Sequence, residues 1–147
     1  LEAGEQLVVF ADWTAAGAAA ATASLLERRR DLDAIFVHSD LMAVGVLDAL
    51  AAARRSIPGD VAVVSCDDLP FAAYLQPSLT TVRIPFHETG TKAVELLLKR
   101  RSGEEVAAKP SLLPVELVVR SSTTGGGSAA GVAASEEARR AGAEAHR

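Results

Sequence analysis

Cysteine, tryptophan, tyrosine and methionine occur once each in 147 residues, and aromatic side chains make up only 4% of the chain. The single cysteine, Cys66, excludes an internal disulfide and fits a reducing, cytoplasmic setting. Apolar residues amount to 49%, yet no run approaches the roughly 18 to 20 residues of a membrane span, so no membrane partner is expected. Positive charge is scarce: 15 Lys and Arg against 19 Asp and Glu leave a net charge of −4. Duplex DNA binding draws largely on cation contacts to phosphate, so this balance argues against a nucleic-acid surface on this chain. The basic clusters Arg28–Arg30, Arg54–Arg55 and Lys99–Arg101 each fall at the end of a predicted helix, where cations complement the dipole and the last free carbonyls. No secretory leader is visible, and the chain begins at Leu1 rather than Met, so further sequence upstream is expected.

Signatures of catalysis are missing as well. There is no G-x-S-x-G elbow, and Cys66 has no activating partner in sequence. Gly125–Gly127 follow no strand-to-helix turn, and no lysine has P-loop spacing. The three histidines, His38, His87 and His146, show no metal-ligand spacing. The expectation is therefore no enzyme, no cofactor and no metal.

What is present is an alternation of short β-prone runs with helical patterns, the mark of βαβ units and a parallel sheet. Leu7–Ala11, Ala34–Val37 and Val61–Val64 read as strands. Thr14 caps a predicted helix to about Arg30, and Asp40 caps a second, in which Ala43, Val46, Leu47, Leu50 and Ala51 follow the three-and-four spacing of one buried face. Ile57–Asp60 is a turn. Thr80–Ile84 is strand-like, a helix follows from about Phe86 to Arg101, and Ser102-Gly103 ends it. Leu112–Val119 is an extended segment that Pro114 restricts to an edge or a bend. The division expected is one domain over residues 1–123 and a flexible Gly/Ala-rich tail over 124–147.

The first three predicted strands end in ligand-capable groups: Asp12-Trp13, His38-Ser39-Asp40 and Asp67-Asp68. In a parallel sheet these ends share one rim, and open α/β sheets bind ligands beyond it. A carboxylate that accepts hydroxyl protons beside an aromatic face suits a polyhydroxylated ligand. Each residue also has a plainer reading. Trp13 could be core, Asp40 an N-cap, and His38 a group that satisfies the backbone. Asp68 reads as a turn residue beside the ligand carboxylate Asp67.

Read in order, DWTAAG, AIFVHSDLMAVGVLDAL, IPGDVAVVSCDDLP, PSLTTVRIPFHETG and LLPVELVVRSST resemble the C-terminal part of a LacI/GalR-family transcriptional regulator, from about Leu7 to Thr123. The resemblance implies an α/β, parallel-sheet three-layer sandwich of the type I periplasmic-binding-protein kind. It would be incomplete here, mostly the C-terminal subdomain plus one helix of the N-terminal subdomain, the one after Phe86. Thr81–Ile84 and the neighbourhood of Pro114 would be crossovers between subdomains. By resemblance, Trp13 is the stacking aromatic, Asp67 the hydroxyl-binding acid, Ser39 stands where many members have asparagine, and Phe86 lines the cleft. Val44, Tyr74 and Leu75 would lie at a homodimer interface, and operator DNA would be bound only through a missing N-terminal helix-turn-helix. Ser65-Cys66, in place of the family's glycine and aromatic, would alter the cleft floor. Ser39, together with Ile84 near a usually polar position, weakens the case for a typical hexose. The function implied is sensing of a small effector, a sugar or related metabolite. A transporter's sugar-binding protein shares the fold and is the alternative, separable by a signal peptide instead of a DNA-binding head upstream.

Overall fold

The computed structural model describes residues 5–104 and 111–124. After a short 3-10 turn at Glu5–Leu7, the order is α1 (Ala15–Arg28), β1 (Ala34–Phe36), α2 (Asp40–Ala52), β2 (Ala62–Asp67), β3 (Thr80–Arg83), α3 (Phe86–Arg101), β4 (Glu116–Val118) and α4 (Ser121–Thr124). The strands form one sheet in the order β1-β2-β3-β4. β1, β2 and β3 run parallel, and β4 returns antiparallel along β3. This is the mostly parallel α/β arrangement that the alternating pattern implies, in incomplete form.

The period-two alternation of β2 places Val61, Val63 and Ser65 on a buried face. Register sets Ile35 beside Val63, and Thr81 beside Ser65. α2 lays Ala43, Val46, Leu47 and Leu50 over that face, and Val37, Ala72 and Leu79 complete the core. Burying each of Leu50, Leu79, Val61 and Val63 in full contributes about 1.5–3 kcal/mol. α1 packs chiefly on α2. The two helices approach closely because position 45 is glycine: a Cβ there would lie 1.8 Å from the Ala15 carbonyl oxygen.

The opposite face is left bare among the described residues. Phe36 and Leu117 are exposed, and Val64, Cys66 and Val82 are half-buried across it. Of three layers, the described residues supply the sheet and helices on one side. α3 has no buried residue, and Val94, Leu97 and Leu98 on its apolar side are exposed. It is ordered locally, with Glu88 in the first turn and Lys99–Arg101 in the last, both complementing its dipole.

Several boundaries differ from the sequence reading. Val8–Ala11 forms no strand, and Phe10 is 93% exposed. β-propensity describes fit to a half-buried pleated surface, and no ladder hydrogen bond joins this segment to β1. β2 runs on past Val64 to Asp67 because β3 pairs with it there, residue for residue from Val64–Thr80 to Asp67–Arg83. Asp40 is not the N-cap of α2; Ser39 is, its hydroxyl accepting the Leu41 N–H. The expected tail from 124 onward lies, apart from Thr124, outside the described residues.

Candidate functional site

The C-terminal ends of β1, β2 and β3 and the start of α1 form the rim. Trp13 enters α1 from a left-handed conformation, φ 65°, which a bulky residue holds only when its neighbours enforce it. Asp12 Oδ1 does so, accepting the Thr14 hydroxyl at 2.6 Å and the Thr14 N–H at 3.2 Å. Thr14 in turn caps α1 by accepting the Gly17 N–H at 2.9 Å. The Thr14 hydroxyl and backbone hydrogen bonds hold the Asp12 carboxyl below the usual carboxylate range. Trp13 is therefore no core residue: it is 61% exposed, and its ring meets His38 edge to face at 5.5 Å. Phe36 also meets His38 edge to face, at 6.5 Å.

Ser39 and Asp40 divide the work at the end of β1. Ser39 is nearly buried and spends its oxygen on the cap, while its proton has no acceptor among the described residues. Asp40 is fully buried in the first turn of α2. Its Oδ1 accepts the Ser65 hydroxyl, and the Thr81 hydroxyl at 2.7 Å; its Oδ2 accepts the Leu69 N–H at 2.7 Å. A buried carboxylate with three donors, at a helix N-terminus that favours negative charge, is stable without a cation.

The adjacent acids at the end of β2 also differ. Asp67, φ 118°, has a carboxylate with no hydrogen-bond or ion-pair partner among the described residues. Asp68, φ 58°, is saturated: Oδ2 accepts Arg83 Nε and Oδ1 accepts Arg120 Nη2, both at 2.6 Å. Burial pushes the Asp68 carboxyl up, but the hydrogen bonds from Arg120 and Arg83 outweigh it and hold it below the ordinary range. Arg83 reaches on to Glu116 at 2.8 Å, and Arg120 to the Leu79 carbonyl at 2.7 Å. Asp68 is thus a turn residue that also clasps β3 to the chain after β4. Burial, and then the neighbouring Asp67 charge, push the Cys66 thiol up, which keeps it protonated and unreactive near neutral pH.

Phe86, 57% exposed, begins α3 just beyond β3. Ser39, Asp67 and Phe86 thus follow or end the parallel strands β1, β2 and β3, while Trp13, at the start of α1, meets the end of β1 through His38. Of the three interface candidates, Tyr74 is 83% exposed, Val44 is half-buried, and Leu75 packs partly against the core. Among the described residues no group of His, Cys, Asp and Glu could hold a metal ion, and no helix is long and apolar enough to cross a membrane. Sequence reasoning missed the buried role of Asp40 and the partners Thr81, Arg83 and Arg120. An acid beside a serine at a helix start does not reveal which of the two caps, and Arg120 is remote from Asp68 in the chain.

Residues 3–123 match the family described as periplasmic binding protein-like domain. The chain is 38% identical over 120 residues to the HTH-type transcriptional regulator CelR of Thermobifida fusca, covering 82% of this chain and 35% of that protein. It is 43% identical over 98 residues to the lactose operon repressor of Rhizobium radiobacter, covering 67% of this chain and 86% of that one. The solved complex of the regulator CelR with cellobiose superposes with a TM-score of 0.78 at 38% identity, covering 83% of this chain and 37% of that structure. The chain spans about a third of the length of CelR.

Proposed function

Since the chain belongs to the periplasmic-binding-protein-like family and matches the C-terminal sensor part of LacI-type regulators, we propose that it is the effector-sensing portion of a one-component transcription regulator. The effector would be a sugar or a related polyhydroxylated metabolite, with a disaccharide as the first probe, because CelR was solved with cellobiose and the other relative is a lactose operon repressor. That relatives of this chain are repressors favours this role over a transporter's binding protein.

The observation that carries the reading is the contrast between Asp67 and Asp68. One acid at the strand end is fully paired and the other has no protein partner among the described residues, while Trp13, packed on His38 at the end of β1, is exposed. Asp67 would accept two ligand hydroxyls, Trp13 would stack on the C–H face of the ring, Ser39 would donate its free proton, and Phe86 would close the apolar side. Ligand binding would favour one angle between subdomains, a population shift driven by differential affinity. The regulator would act as a homodimer through Val44, Tyr74 and Leu75, reside in the cytoplasm, carry no catalytic activity, and bind operator DNA only through its helix-turn-helix.

The test restores a complete cleft by replacing the matching 120-residue segment of CelR with this chain. Calorimetry against cellobiose, lactose, pentoses and nucleosides should find one saturable ligand. Asp67→Asn should weaken that ligand by at least about tenfold, the scale of one charge-assisted hydrogen bond. A folded chimera that binds none of them, or an Asp67→Asn variant that binds as tightly as the unsubstituted chimera, would remove the proposal.

A further inference from the structure

Two acids at the rim are fully occupied by protein donors, and each directly follows a residue assigned to the ligand: Asp40 follows Ser39, and Asp68 follows Asp67. Both are tied to one side chain of β3. Thr81, wholly buried, donates its hydroxyl to Asp40 Oδ1 at 2.7 Å and accepts the Asp68 N–H at 3.3 Å. A threonine hydroxyl has one proton to give and lone pairs to receive, so a single group serves both turns. Ser65 also holds Asp40, the Leu69 N–H ties Asp40 directly to the corner as a second link, and Arg83 and Arg120 hold Asp68.

We propose that Thr81 is a positioning residue for the rim, fixing the Ser39 turn and the Asp67 corner relative to each other through Asp40 and Asp68. This rests on the reading of Ser39 and Asp67 as effector contacts. The corner needs such a restraint, because Asp67 at φ 118° and Asp68 at φ 58° both occupy backbone regions that non-glycine residues leave unless held. Without the hydroxyl, the buried Asp40 carboxylate loses one of three donors and the Asp68 N–H loses its acceptor. Both turns then relax, although they are distant in sequence and neither carries the substitution. Thr81 lies on β3, whose last residue Arg83 also binds Asp68, so the same strand restrains the corner at two points.

The experiment uses the 147-residue chain with Thr81→Val, which keeps the shape and removes the hydroxyl, and Thr81→Ser, which returns it. Amide hydrogen exchange of Thr81→Val should accelerate at least about tenfold at both 39–41 and 67–69, while Val46, Leu50 and Val63 keep their protection. Thr81→Ser should restore both sites. Calorimetric titration of the CelR chimera with cellobiose should show a dissociation constant raised about tenfold with Thr81→Val and recovered with Thr81→Ser. Uniform acceleration across the core would reduce Thr81 to a structural residue, and acceleration at only one of the two turns would overturn the linkage. Should Thr81→Val fail to fold, Thr81→Ala, which also removes the hydroxyl, serves with the same readout, and acceleration at neither turn or at one alone overturns Thr81 as the shared anchor. Failure of the unsubstituted chimera to bind cellobiose counts against the effector reading alone, since the exchange pattern of the 147-residue chain still decides the role of Thr81.

Discussion

Replacing Gly45 with alanine adds one methyl group at the closest approach met at any of the described glycines. That Cβ would lie 1.8 Å from the Ala15 carbonyl oxygen and 2.9 Å from the Ala19 nitrogen, whereas ordinary contact begins at 3.4 Å. α1 would have to retreat by roughly 1.6 Å at its first turn. The obstacle is backbone, so no rotamer change relieves it, and the cost falls at the upper end of the overpacking range, about 3 kcal/mol. Alanine is the better helix former by about 1 kcal/mol, which leaves a net loss of about 2 kcal/mol. In a domain of this size that corresponds to a fall of about 10 °C in Tm. Circular dichroism melting of the variant would measure it, with Gly90→Ala as control, because a Cβ at Gly90 meets nothing within 4 Å. The control should be neutral or slightly stabilising. Equal melting temperatures for the two variants would refute the claim that helix approach at Gly45 sets the α1–α2 packing.

Other outcomes follow from the ion cluster and the charge balance. Asp68→Asn leaves Arg120, only 17% exposed, without its carboxylate, and should cost about 2–3 kcal/mol in urea unfolding; a loss under about 0.5 kcal/mol would show that the clasp does not stabilise the fold. The Asp68 carboxyl is lowered in the folded state, so its contribution is complete above the unfolded value of about 3.9 and disappears as pH falls through the lowered one. The stability gap between wild type and Asp68→Asn should accordingly be constant near neutrality and narrow below about pH 4; a gap that widens there has the wrong sign for this cause. With a net charge of −4, the chain alone should not shift operator-like duplex DNA in gels at low salt, and sequence-specific retardation would contradict the placement of DNA binding outside it.

Much of the fold was legible because its signals are local and periodic. Thr14 stands before an alanine-rich run and caps it, the three-and-four spacing in α2 names Ala43, Val46, Leu47 and Leu50 of its buried face though not the exposed Ala51, and Pro114 precedes an edge strand. The failures involve partners remote in sequence. Leu7–Ala11 has the composition of a strand, but a strand exists only against a neighbour. Asp40 beside Ser39 fits a cap equally well by spacing; its burial follows from Ser65, Thr81 and Leu69, which only the folded sheet brings together. The site was legible at coarse grain, since acids at strand ends share a rim in any parallel sheet. The asymmetry between Asp67 and Asp68 was legible only in part: a turn was expected of Asp68, and the two arginines that occupy it were not.

α3 carries a consequence for how the chain loses its structure. Sixteen residues with none buried form a helix whose order rests on its own turns and end charges, near the length at which an isolated helix is marginal in water. The sheet and the α1–α2 pair share a core and unfold together, whereas α3 obeys a helix–coil equilibrium that drifts with temperature. Heating should therefore give a sloping loss of ellipticity before the cooperative step, and the slope belongs to α3. Val94→Pro would flatten that slope and leave the step in place, so the chain behaves as one cooperative body with a thermometer attached.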